Sequence, residues 1–143
     1  MSKRIIIING PNLNLLGKRE PEKYGYQDFE GYFSALRKTF NEIHLDYFQS
    51  NVEGELINKL HETGFAFDGI ILNPGGFAHT SVALSDAIAA IKTPVVEVHI
   101  TNIYAREEYR HTSLTAKNCI GVINGFGLLS YELALTYFVD YTE

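Results

Sequence analysis

A guanidinium and a phenol, Arg19 and Tyr24, share one long segment directly after four consecutive isoleucines, Ile5 to Ile8. The segment from Asn9 to Gly25 reads Asn-Gly-Pro-Asn-Leu-Asn-Leu-Leu-Gly-Lys-Arg-Glu-Pro-Glu-Lys-Tyr-Gly and has neither helical nor strand period. A loop this long in a small domain is usually functional or disordered. Pro21 and Gly25 limit its conformations, which suits an active-site lid. A phenol with an ordinary pKa of about 10 is mostly protonated at neutral pH, and a drop to about 7 takes roughly 4 kcal/mol. One guanidinium about 4 Å away supplies on the order of 4 kcal/mol at an effective dielectric of about 20. A tyrosine base activated by an arginine is therefore feasible if the lid closes. Tyr26 competes with Tyr24 on proximity alone.

A second group lies in Val95-Val-Glu-Val-His-Ile-Thr-Asn. Strand alternation puts Glu97 and His99 on one face. A lone buried Glu97 is costly, and a bond to His99 offsets that cost and fixes the imidazole. Next comes Arg106-Glu-Glu-Tyr-Arg110, whose spacing predicts two arginines on one helical face. They are natural clamps for an anion. A third group is Asn73-Pro-Gly-Gly-Phe-Ala-His-Thr-Ser. Gly75 and Gly76 permit close backbone approach, and the spacing predicts a helix with His79 at its start and Asp86 on the same face. The sequence has no phosphate-binding Gly-Lys-Ser/Thr loop, no G-x-G-x-x-G after the first apolar run, and no C-x-x-C or H-E-x-x-H metal spacing. What remains is acid–base chemistry with Tyr, Arg, His and Asn, and no metal.

The elements that must hold these groups alternate. Apolar runs at Ile5–Asn9, Ile43–Gln49, Gly69–Asn73, Val95–Ile100 and Cys119–Asn124 read as strands. Phe29, Tyr32, Phe33, Leu36 and Phe40 recur at helical spacing behind an Asp28 cap. Val52, Leu56, Ile57 and Leu60 do the same, with Ser50 and Glu53 as a capping box and Gly64 as a stop. A third helix runs from Val82 to Ile91, ahead of Pro94, and a fourth from Leu128 to Tyr141. This alternation predicts an α/β fold, a five-stranded parallel sheet with helices on both faces and the flavodoxin-like order 2-1-3-4-5. Asn9, Asn73, Thr101 with Asn102, and Asn124 close four of the strands, where such sheets bind ligands.

At 143 residues the chain fits a single catalytic domain, 1–143, with a real hydrophobic core. Its net charge of −5, with no basic tract, argues against nucleic acid or an anionic membrane as partner. The lone Cys119 permits no internal disulfide, which fits a reducing cytoplasm. The start, Met-Ser-Lys-Arg followed by the isoleucines, is too short in its apolar part for a signal peptide or a membrane span. A passive module binding a flavin or nucleotide at the strand ends is the alternative to an enzyme. It has no use for an arginine and a tyrosine on a lid. A phosphate-accepting receiver domain needs acids where Asn9 and Asn73 stand.

The first block, together with Asn73-Pro-Gly-Gly, His79-Thr-Ser, Asp86-Ala, Glu97-Val-His-Ile-Thr-Asn and Arg106-Glu-Glu-Tyr-Arg110, resembles the type II 3-dehydroquinate dehydratases over nearly the whole chain. The resemblance implies a cofactor-free, flavodoxin-like hydro-lyase of the shikimate pathway, usually a dodecamer built as four trimers. It implies that 3-dehydroquinate loses water to give 3-dehydroshikimate. It makes Tyr24 the general base, His99 the general acid, Arg19 the lid arginine and Asn12 the group that helps hold the enolate through a water. Asn73, His79, the Ile100–Thr101 backbone, the Thr101 hydroxyl and Arg110 would bind substrate. Asp86 would lie at a subunit contact near the site, and Arg106 would be a second closing residue. Thr101 stands where the family usually has Ser, and Gly76-Phe77-Ala78 replaces a more usual Ala-Tyr/Phe-Thr run.

Overall fold

The four isoleucines of the first strand point alternately to two different cores. Ile5 and Ile7 pack on one face of the sheet with Phe29, Tyr32, Leu36, Tyr131, Leu135 and Phe138. Ile6 and Ile8 pack on the other with Leu56, Leu60, Leu84, Ala87 and Ile88. Period-two alternation in a strand covered on both sides produces this division. In the computed structural model, which describes residues 2–143, the strands are β1 (Arg4–Asn9), β2 (His44–Gln49), β3 (Gly69–Asn73), β4 (Val95–His99) and β5 (Gly121–Asn124). All pair in parallel, in the order β2-β1-β3-β4-β5. The helices are α1 (Pro21–Tyr24), α2 (Phe29–Thr39), α3 (Glu53–Thr63), α4 (Val82–Ala90) and α5 (Leu129–Asp140). α2 and α5 cover one face, α3 and α4 the other.

The order reverses between β1 and β3, whose last residues, Asn9 and Asn73, are register partners. Chain leaving β1 and chain leaving β3 therefore depart in opposite directions and open a crevice above the sheet. No helix among the described residues is long and apolar enough to cross a membrane.

Several local expectations need correction. Asp28 does cap α2, accepting from Gly31 N at 2.8 Å. Ser50 and Glu53 do not form a capping box, because α3 starts only at Glu53 behind Val52. Ser50 instead accepts from Val52 N at 3.0 Å and donates to Glu55, a local serine turn. Gly64 ends α3 without a left-handed turn, at φ −69°. It is needed for space, since a Cβ there would lie 2.4 Å from Ile91 Cγ2. β4 ends at His99, not Ile100, and β5 begins at Gly121, not Cys119.

Candidate active site

The segment after β1 is folded, not irregular. A 3-10 turn at Leu13–Leu15 leads to Leu15 O, which accepts from Lys18 N at 3.0 Å and Arg19 N at 2.9 Å. Pro21 then starts α1, where its fixed φ costs nothing, and Gly25 ends it at φ 87°. This single turn of helix brings Arg19 and Tyr24 together. The Arg19 guanidinium lies 4.9 Å from the centre of the Tyr24 ring, and Arg106 reaches the same ring at 5.7 Å. Tyr26 is 81% exposed and does not line the cleft, which removes it as competitor.

At the ends of β1 and β3 a buried tyrosine joins the two asparagines. Tyr131, from α5, donates to Asn9 Oδ1 at 2.8 Å and accepts from Asn73 Nδ2 at 2.9 Å. Asn73 Oδ1 also accepts from Gly75 N at 3.1 Å. Gly75 needs its left-handed φ of 60°, and a Cβ there would lie 3.1 Å from Pro11 O, so the loops after β1 and β3 touch. Asn12, itself left-handed at φ 71°, is fixed through its backbone N–H, which donates to Asn51 Oδ1 at 3.0 Å.

At the end of β4 the expected pair forms: His99 Nε2 donates to Glu97 Oε2 at 2.8 Å, leaving Nδ1 as the other ring nitrogen. Glu97 is fully buried. Burial alone would raise its carboxyl pKa. Hydrogen bonds from His99, Thr115 and Ser113 outweigh that and hold it below the usual carboxylate range. His79 stacks beside His99, ring centres 6.1 Å apart, and donates from Nδ1 to Thr112 O at 2.8 Å. Burial pushes the His79 imidazole down, favouring the neutral ring.

These groups converge on one cavity of about 110 Å³, lined by Asn12, Arg19, Tyr24, Asn73, Gly75, Gly76, His79, His99, Ile100, Thr101, Arg106 and Arg110, together with Pro11, Leu13 and Ile103. Sites for larger ligands run to roughly 300–1,000 Å³, so a compact molecule fits here better than a flavin. In a chain of net charge −5, three guanidinium groups meet at this point. Glu20 and Glu107 pair with two of them, at 3.5 Å to Arg19 and 2.5 Å to Arg110. Arg106 Nε is buried and has no hydrogen-bond partner among the described residues. A small anion is the matching occupant.

Two expectations about position fail. Arg106 and Arg110 do not share a helix. They sit on two separate 3-10 turns, Ile103–Ala105 capped by Arg106 and Glu108–Arg110, with extended backbone between. The chain folds both into the cleft without helical spacing. Asp86 does not line the cleft; it is exposed on α4. His79 closes the 3-10 turn Gly75–His79, and α4 begins only after the Ser81 cap, so the two residues are not seven apart on one helix. Glu97 lies behind His99. Sequence reasoning missed Tyr131, Ser113 and Thr115. The Ser-x-Thr pair next to the arginines was the available signal, but nothing in its spacing points to Glu97.

Residues 3–139 match the family model described as Dehydroquinase class II. The chain belongs to this family. A 3-dehydroquinate dehydratase of an Exiguobacterium species is 51% identical over 139 residues, covering 96% of this chain and 95% of the relative. One from Prochlorococcus marinus is 48% identical over 141 residues, covering 97% of each. The crystal structure of the type II dehydroquinase from Butyrivibrio crossotus superposes with a TM-score of 0.90 at 42% identity, covering 96% of this chain and 97% of that one. The sheet order β2-β1-β3-β4-β5 and the cleft at its switch point are the frame that brings Arg19, Tyr24, His79, His99, Arg106 and Arg110 together.

Proposed function

We infer that this class II dehydroquinase removes water from 3-dehydroquinate to give 3-dehydroshikimate, a step toward chorismate, acting as one catalytic domain. The observation that carries this reading is the Tyr24 ring flanked by Arg19 and Arg106, in the same cleft as the Glu97-anchored His99.

The reaction breaks a C–H bond alpha to a ketone and then a C–O bond beta to it. Tyr24, as phenolate, takes the alpha proton, and the electron pair moves onto the ketone oxygen. The two guanidinium groups lie beside the ring that receives this proton. Asn12 faces the developing enolate, where one fixed donor is worth roughly 10²–10³ in rate. The enolate collapses to a carbon–carbon double bond, and the beta hydroxyl leaves as water with a proton from His99. Arg110, the Thr101 hydroxyl and the Ile100–Thr101 backbone hold the carboxylate. Asn73 and His79 hold substrate hydroxyls, with Gly75 and Gly76 allowing close approach. Arg106 closes over the substrate beside Arg19. The methyl of Thr101, where the family usually has Ser, leaves the needed hydroxyl in place.

We also infer assembly as a dodecamer of four trimers. Support comes from the exposed apolar side chains Ile120, Val122, Leu133 and Tyr137 on and near edge strand β5 and on α5. Asp86 is free on α4 to meet another subunit. Light scattering behind size exclusion reads the assembly directly.

The reaction is tested by adding 3-dehydroquinate to purified protein in a chelator and following ultraviolet absorbance of the conjugated enone. Turnover that persists after borohydride treatment is expected; an inactive protein, or one inactivated by borohydride through a trapped imine, contradicts the mechanism.

A further inference from the structure

The buried Glu97 carboxylate has three donors, and two come from residues with no part in the chemistry so far. Ser113 Oγ donates to Glu97 Oε2 at 2.8 Å, the oxygen that also accepts from His99. Thr115 Oγ1 donates to Oε1. The two hydroxyls lie 3.1 Å apart, and Ser113 Oγ accepts from Ala116 N at 3.2 Å, which turns its hydrogen toward the carboxylate. Both hydroxyls belong to one strap that is stitched to the rest of the site. Thr112 O accepts from His79, and Leu114 N donates to Ala78 O at 2.6 Å. Leu114 O accepts from Ser85 Oγ at 2.8 Å.

Building on the dehydratase reading, we propose that Ser113 and Thr115 are positioning residues that keep Glu97 ionised, so that the proton shared by Glu97 and His99 stays on the imidazole. A dry carboxyl–imidazole pair can hold its proton in two ways. Carboxylate with imidazolium is favoured when donors surround the carboxylate. Neutral acid with neutral imidazole is favoured by burial when they do not. Only the first leaves an imidazolium to protonate the departing hydroxyl. The charged or titratable groups facing the pair are His79 from the turn after β3, Cys119 from the segment before β5, Arg106 and Arg110 from the turns after β4, and Arg19 and Tyr24 from the lid. The strap hydroxyls are the only hydrogen-bond donors to the Glu97 carboxylate besides His99 among the described residues.

The test uses the double variant Ser113→Ala/Thr115→Val and the single variants Thr115→Val and Thr115→Ser. Ring-nitrogen NMR of labelled histidine and carboxyl-carbon NMR of labelled glutamate, without substrate, locate the proton across pH. In the parent, His99 gains it while Glu97 stays a carboxylate. In the double variant Glu97 gains it and His99 stays neutral. The double variant should also lose roughly 10- to 100-fold in kcat with little change in KM. Thr115→Ser should keep the parent's proton location and rate, whereas Thr115→Val should not. A double variant whose His99 still takes the proton overturns the proposal. So does equal behaviour of Thr115→Ser and Thr115→Val, which decides the matter if the double variant does not fold. A parent with no turnover of 3-dehydroquinate would instead refute the dehydratase reading, and the NMR arm would still decide where the proton sits.

Discussion

Arg110 shows how one side chain is oriented toward an anion by an acid of its own chain. Its Nε is held by Glu107 at 2.5 Å, which pulls the Glu107 carboxyl down to about 2. The rest of the guanidinium lines the cleft. Arg110→Ala should therefore raise KM by roughly 10- to 100-fold, the worth of a charge-assisted contact, while kcat changes far less. Steady-state kinetics checks this, and an unchanged KM counts against Arg110 as the carboxylate clamp. Much of the site at this scale was legible. Arg19 and Tyr24 stand on a loop too long to be a spacer, and Glu97 and His99 alternate on a buried strand, so their placement was legible, while the choice of Tyr24 over Tyr26 rested on the resemblance. Ser113, Thr115 and Tyr131 were not legible. Hydroxyls are common, and only long-range folding shows which buried group a hydroxyl meets.

Among the elements, strands and long helices followed from periodicity, because burial on fixed faces imposes it. The short 3-10 turns had no such signature. Arg106 and Arg110 therefore looked helical when they are not, and His79 and Asp86 looked like one face of one helix. The junction between the loops after β1 and β3 has a sharper physical requirement. Gly75 combines a left-handed φ of 60° with a close neighbour in Pro11. Gly75→Ala should cost about 1–2 kcal/mol from the backbone conformation alone. Urea denaturation measures it, and an unchanged midpoint would mean the turn relaxes freely. The same logic applies to the lid, where α1 exists to bring Arg19 over Tyr24. Arg19→Ala should reduce kcat strongly and leave affinity for a substrate-like inhibitor within a few-fold, as rates and isothermal titration would show.

For the molecule as a whole, the buried acid at its centre sets a pH dependence. Folding lowers the Glu97 value below its ordinary 4.5, so the unfolded chain binds its proton first as pH falls. The stability this contributes is fully present above about 4.5 and is lost as pH drops through the folded value. His79, whose value burial lowers from 6.5, acts in the same direction at somewhat higher pH. Denaturation midpoints of the parent and Glu97→Gln should differ most near neutrality and converge in acid; a constant gap would show that Glu97 does not carry the effect. In the proposed mechanism the sheet, its two helical layers and the folded segment after β1 place one phenol against one carbon atom. Turnover of 3-dehydroquinate by Tyr24→Phe tests that most directly. The expected result is a loss of at least roughly 10²–10⁴-fold in kcat with inhibitor affinity preserved. Turnover equal to the parent's would mean that another group takes the proton.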